Sequence, residues 1–495
     1  MDAIPTGRLL GMQDLHEEDV LQLRRAQDLL QSVFSSYGYR AVEPPFLEPT
    51  ETFARKAGGE FASRMYSFVE PGGHHVTLRP EFTSAVVRLL RESWGQRPLP
   101  VRWQYAGPVF RYYPDEPQRP RQFWQAGGEL IGPGGAEADA EIITMAAKGL
   151  GALGLPDVRV VLTDMAVVKS FLAPFGLSER TQQFLLRNLS ALKAGSDRFQ
   201  ELKQRAASVG LLRTAGDAEA VRHALAGIAA GVKGEKTADR NGSQISARSP
   251  LQRSPEDIAR RLEGKIAGGD ERARFDQALE AMARVASLHG DANEVLPELG
   301  RMAAPQRIDI AKLARLKAVV EAMRLHHAGS GTAANVLLDM SLAPGIGYYT
   351  GVVFQLHAGG PSGPVLGGGG RYDGLLKALG APEDVPALGF ALPLDQVVAA
   401  MNASGRGQAP RRAPSRILVA PETPRAYHAA LRTAETLRLG GDAVEQALSY
   451  QPLADHLEYA GATGLHGVVL VKETGETERY AVEGAAHDAA RRAAQ

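Results

Sequence analysis

The chain has 495 residues, 44% of them apolar, with no cysteine and with 56 basic side chains set against 56 acidic ones. That length carries about three domains, the missing cysteines exclude disulfides and thiolate metal sites, and a balanced charge supplies no global field to gather a polyanion. No run of 18 apolar residues offers a membrane span, and the start Met1-Asp2-Ala3-Ile4-Pro5 has neither the basic end nor the apolar core of a secretion signal, so a cytoplasmic protein without a membrane role is expected.

Val20, Leu23, Leu30, Val33 and Phe34 recur at helical spacing and stop at Tyr37-Gly38-Tyr39, where glycine can end the helix before the extended run Val42-Glu43-Pro44-Pro45. Short β-rich runs broken by Gly and Pro follow from Val101 to Ile131, then a helix over Glu137 to Leu153 and a strand over Val158 to Leu162. From Met165 to Arg324 the periodicity is helical, interrupted by a polar segment at 233–253, after which Ser254-Pro255-Glu256-Asp257 restarts a helix with a cap, a first-turn proline and acids at the positive dipole end. Strand-like, Gly-rich sequence returns from Val336 to Leu394 and completes the first sheet. Beyond a Pro, Gly and Arg-rich linker at 403–415, strand, helix, helix and strand are expected at Ile417 to Val419, Ala426 to Leu439, Leu453 to Tyr459 and Val468 to Val471. The fold class read from this pattern is α+β. The domains are a sheet-and-helix core in two parts, 1–164 and 326–402, a mainly helical insertion at 165–325, and a small α/β domain at 416–495.

Five separated motifs carry a resemblance. They are Pro45-Phe46-Leu47-Glu48 with Met65-Tyr66-Ser67-Phe68; Leu78-Arg79-Pro80-Glu81-Phe82-Thr83; Phe110-Arg111-Tyr112-Tyr113 with Phe123 to Glu129; Leu342 to Gly351; and Gly368-Gly369-Gly370-Arg371-Tyr372-Asp373-Gly374. In this order they resemble the histidyl-tRNA synthetases, and the resemblance covers most of the chain. It implies a class II synthetase-like antiparallel sheet flanked by helices, a homodimeric core, and a C-terminal domain that looks like a degenerate anticodon-binding domain. Carried over residue by residue, Glu81, Thr83, Arg111, Gln125 and Glu129 would surround a bound histidine, with Tyr348 and Tyr349 closing the imidazole side. An α-ammonium takes carboxylate and hydroxyl acceptors, and an imidazole takes a partner on each nitrogen. For any one glutamate, a structural cap or a surface acid is the plainer reading.

The activating half departs from the family. Pro344 stands where the family has the catalytic arginine of Leu-Val-Arg-Gly-Leu-Asp-Tyr-Tyr-Thr-Gly, Tyr113 replaces the second-motif glutamate, and Gly-Leu-Glu-Arg reads Pro393-Leu394-Asp395-Gln396. Neither proline nor a neutral amide offsets carboxylate or phosphate charge, so adenylate formation is not expected. Arg119 and Arg121 stay near the second motif as residual phosphate contacts. A synthetase-like chain without activation resembles the regulatory subunit of ATP phosphoribosyltransferase. That implies no cofactor, a short-form catalytic subunit as partner, L-histidine as feedback signal, and a homodimer core within a hetero-oligomer. The near-cancelling charges of the last domain argue against tRNA as a partner. An active histidine-tRNA ligase and a stand-alone histidine or tRNA-binding module remain the alternatives. Adjacent histidines at His74-His75 and His326-His327 point apart and lack partner ligands for a metal. Gly367 to Gly370 lacks the lysine of a phosphate loop and is expected beneath the pocket floor, and Arg411-Arg412 reads as solvated linker.

Overall fold

A computed structural model describes residues 7–57, 59–155, 157–212, 271–306, 308–327, 336–343, 347–360, 363–405 and 416–482. It divides into two compact units, Met1–Gly407 and Gln408–Gln495. The polar segment at 233–253, the helix restart at Ser254, most of the 403–415 linker and Pro344 lie outside the described residues.

The first unit is built on a nine-stranded sheet. Its strands are β1 (Arg40–Ala41), β5 (Val101–Phe110), β6 (Gln122–Ile131), β7 (Arg159–Asp164), β8 (His289–Asp291), β9 (Val336–Asp339), β10 (Val352–His357), β11 (Val365–Arg371) and β12 (Ala387–Pro393), in the order β1-β5-β6-β12-β11-β10-β7-β9-β8. Strands β2 (Leu47–Pro49), β3 (Tyr66–Val69) and β4 (His75–Leu78) form a separate small sheet. The large sheet is mixed: β1 runs parallel to β5 and β7 parallel to β9, while the central strands are antiparallel. The β7–β9 pair is joined by a long crossover through helices, and the β1–β5 pair by one through the small sheet and its helices, which antiparallel hairpins do not need.

Helices cover the sheet. Glu17–Ser36 buries Leu23, Ala26, Leu30 and Phe34, a stripe at helical spacing, and Phe34 meets Phe390 of β12 edge-on with ring centroids 5.3 Å apart. Val20, on the predicted stripe, stays 39% exposed. Ala136–Ala152 is buried along most of its length, and its Asp139 ties it to the sheet. The Asp139 carboxylate accepts from Arg371 Nε at 2.9 Å and from Arg315 at 2.8 Å, so the nearly fully buried Arg371 guanidinium has a charge partner.

Between β7 and β9 the described chain is mainly helical, through Met165–Ser170, Glu179–Arg187, Leu189–Leu192, Phe199–Ser208, Glu271–Ala286, Ala292–Ala303 and Ile310–His327. Ser178 starts one of these helices by accepting the Thr181 N–H at 3.3 Å. Ser178→Ala should therefore lower stability by about 1 kcal/mol, read as a shift of the urea midpoint at unchanged slope.

The second unit has a four-stranded sheet ordered β14-β13-β15-β16, with β13 (Arg416–Pro421), β14 (Ala443–Gln446), β15 (Gly467–Val471) and β16 (Thr477–Ala481). Helices Tyr427–Leu439 and Leu453–Ala462 accompany it. β14 and β16 are additions to the strand, helix, helix, strand pattern read from the sequence. No described helix is long and apolar enough to cross a membrane.

Candidate functional site

A cavity of about 300 Å³ opens on the large sheet where β5, β6, β10, β11 and β12 meet the helix Thr83–Glu92. Part of its lining is glycine backbone. Gly367, Gly368 and Gly369 line it, and a Cβ at Gly368 would lie 2.2 Å from the Phe354 carbonyl oxygen, one at Gly369 1.9 Å from that of Gly389. Only glycine lets the neighbouring strands close over this run.

Of the seven residues singled out in the sequence, six line the cavity: Glu81, Thr83, Arg111, Gln125, Tyr348 and Tyr349. Glu81 is buried at the head of the helix, where its two carboxylate oxygens accept the Ser84 N–H at 3.0 and 3.2 Å. It thus serves as a helix cap while it faces the cavity. Burial raises its proton affinity above the usual carboxylate range, against the pull of the Ser84 bonds and the Arg111 charge. Arg111 is held by donating Nε–H to the Pro80 carbonyl at 2.8 Å, with its guanidinium over the rings of Phe123 and Phe61. Gln125 is 4% exposed, and its Oε1 has no hydrogen-bond partner among the described residues. An orphaned acceptor on a cavity wall is what a ligand donor would complete.

Glu129 sits behind the wall rather than on it. Thr83 donates to its Oε1 at 2.7 Å and Tyr105 at 3.0 Å, and the Tyr372 hydroxyl meets Oε2. The carboxyl is fully buried, and desolvation, outweighing these three hydroxyls, pushes its pKa up to about 8. At neutral pH it therefore holds its proton and is uncharged. Tyr105 and Tyr372 both line the cavity, and neither was assigned a role from sequence. Tyr372 lies inside the quoted Gly-Arg-Tyr-Asp-Gly run, whereas Tyr105 shows only as one inward position of a mostly buried strand. Tyr348 packs edge-on against Tyr349 at 5.1 Å and against Tyr372 at 5.7 Å, and burial raises the pKa of all three phenols.

Two of the three replaced positions, Tyr113 and Gln396, can be placed as well. Tyr113 is buried, with the guanidinium of Arg119 4.0 Å from its ring centroid and that of Arg64 5.7 Å away. Arg119 also pairs with Glu116 at 2.9 Å, and Arg121 lies over Tyr112 at 4.7 Å. Asp395 accepts the Trp124 N–H at 2.8 Å, which leaves Gln396 exposed in the first turn of the helix Leu394–Ala403. Among the described residues no group of three or more His, Asp or Glu side chains could hold a metal ion.

A histidyl-tRNA synthetase family profile matches residues 11–254 and 256–397. The chain belongs to the histidyl-tRNA synthetase family. Relatives in this family carry two kinds of name. A histidine–tRNA ligase of Pyrococcus furiosus is 27% identical over 467 residues, 94% of this chain and 91% of that one. An ATP phosphoribosyltransferase regulatory subunit of Moorella thermoacetica is 32% identical over 439 residues, 88% of this chain and 90% of that one. The synthetase fold is matched by a solved ATP phosphoribosyltransferase regulatory subunit/histidyl-tRNA synthetase from Bacillus halodurans, with a TM-score of 0.65 and 21% identity, covering 95% of this chain and 100% of that one.

Proposed function

We propose that this chain is the non-catalytic regulatory subunit of an ATP phosphoribosyltransferase, acting in the cytoplasm at the first step of histidine biosynthesis and sensing L-histidine as feedback signal. The observation that carries the reading is a division within one site. The amino-acid half is kept, with Glu81, Thr83 and the unpartnered Gln125 Oε1 facing the cavity as acceptors for an α-ammonium. The activating half is altered, since the second-motif glutamate position holds a buried tyrosine covered by arginines and the third-motif arginine position holds an exposed glutamine. Pro344 in place of the signature arginine removes a further cation.

Binding without chemistry is what an allosteric subunit needs. Histidine that prefers one arrangement of the complex by about 1–3 kcal/mol shifts catalysis in a short-form catalytic partner. Relatives named as regulatory subunits at 32% and 30% identity support this reading. Those named as histidine–tRNA ligases, one at 31% identity, favour the second reading, an active ligase.

The two are separated by histidine-dependent exchange of labelled pyrophosphate into ATP, with a complete histidyl-tRNA synthetase as control. No exchange above background is expected from this chain, together with histidine-sensitive stimulation of a short-form phosphoribosyltransferase mixed with it. Exchange at the rate of the control would make the chain an activating enzyme.

A further inference from the structure

A second cavity in the first unit, of about 510 Å³, shares the Tyr348-Tyr349 pair with the first. Three helices build it: Met165–Ser170 supplies Lys169, Glu179–Arg187 supplies Glu179, Gln183 and Arg187, and Ile310–His327 supplies Lys312. None of the side chains of Lys169, Arg187 and Lys312 makes an ion pair or a hydrogen bond among the described residues. Elsewhere in the same helical stretch, Lys193, Arg198, Lys203, Arg301 and Arg324 all have carboxylate partners.

Three cations gathered round one concavity repel one another, and the single carboxylate of Glu179 offsets only one of them. Arg180, Arg284 and Lys317 are likewise without a carboxylate partner among the described residues, so what marks the cavity is the convergence of three cations from three helices on one lining. The volume is that of a small-molecule site, the Gln183 amide adds a neutral donor, and two aromatic residues form one wall. Lysine and arginine converging from separate helices grip a phosphate from several sides. We infer that this cavity binds a small phosphorylated anion carrying at least two negative charges, at a site separate from the histidine pocket. The assignment does not depend on the regulatory reading, because its charged residues are not those of the histidine pocket, with which it shares only Tyr348 and Tyr349, and it needs no partner subunit.

Calorimetric titration of the purified full-length chain with inorganic pyrophosphate tests it, with a nucleoside 5′-monophosphate as a second probe. Binding is expected to weaken about tenfold or more in Lys312→Gln and again in Lys169→Gln, the effect of losing one charge-assisted contact. Lys169 is exposed and Lys312 half-buried, so both variants should fold, and unchanged circular dichroism checks this. Arg111→Gln, which alters the first cavity, should leave the affinity as it is. Pyrophosphate binding that is lost in Arg111→Gln but kept in both lysine variants would place the anion in the first cavity and overturn the assignment. An absence of binding at millimolar pyrophosphate would also overturn it. So would a site that ignores both small probes and binds only an RNA oligonucleotide, with that binding lost in Lys312→Gln.

Discussion

Folding stability is expected to fall by about 2 kcal/mol between pH 6.5 and pH 8, and Glu129→Gln is expected to abolish most of that slope. The cause is the buried carboxyl behind the pocket wall. Its folded-state pKa is raised to about 8 from an ordinary 4.5, so between those values the native chain keeps a proton that the unfolded chain has released. Wherever the native state binds more protons, stability drops as pH rises, by about 1.4 kcal/mol per unit for one group. Asp164, raised to about 6 chiefly by burial, has the same sign, but it exerts its effect at lower pH and leaves the upper window to Glu129. Glutamine copies the protonated acid at every pH, with one oxygen to accept from Thr83 and Tyr105 and one amide to meet Tyr372. The variant should match the parent near pH 4 and exceed it by a growing margin as the pH rises from about 4.5 to about 8, as urea midpoints would show. An identical slope in both proteins would mean that Glu129 is ionised in the fold and that the three hydroxyls outweigh its burial.

The second large effect follows from the proposed histidine pocket. At 100 times its dissociation constant, L-histidine should stabilise the parent by about 2.7 kcal/mol. In Glu81→Gln the charged acceptor for the ammonium is gone, and a loss of about 10–100-fold in affinity would cut that to between about 1.4 and 0.4 kcal/mol at the same concentration. The amide oxygen still caps the helix by accepting from Ser84, which limits the direct cost to folding. N-acetylhistidine, which lacks the ammonium, should stabilise the parent as weakly as histidine stabilises the variant. Equal histidine-induced shifts in parent and variant, measured by thermal unfolding, would remove Glu81 from the ligand's first contacts.

Much of this arrangement could be read from the chain, and the parts that could not have physical reasons. The helix Glu17–Ser36 announces itself because Leu23, Leu30 and Phe34 share one face and glycine follows it. Strands β14 and β16 do not, since Ala-Val-Glu-Gln is half-buried throughout and Thr-Glu-Arg-Tyr-Ala is an exposed edge with no apolar alternation. Parallel pairing at the sheet ends is set by the crossover path, which strand patterns do not encode. In the site, motif spacing supplied the residues around the cavity but not their depth. Glu81 and Glu129 look alike in sequence, yet one faces the cavity and the other is enclosed by hydroxyls from Thr83, Tyr105 and Tyr372. The second cavity was invisible because Lys169 and Arg187 come from two neighbouring helices and Lys312 from a third far along the chain, each an ordinary surface charge when read alone.

The glycine run at the first cavity has a consequence for how this protein can change. Ligand preference usually drifts through side chains that grow, shrink or swap polarity, but the glycine run offers no side chain to vary. At Gly367, Gly368, Gly369 and Gly370 an added methyl would run into a main-chain carbonyl of the adjoining strand, at 2.5, 2.2, 1.9 and 2.6 Å. This stretch of the lining is therefore frozen by the sheet itself, and retuning of the pocket falls to the side chains around it, such as Gln125, Arg111, Phe390 and the tyrosines.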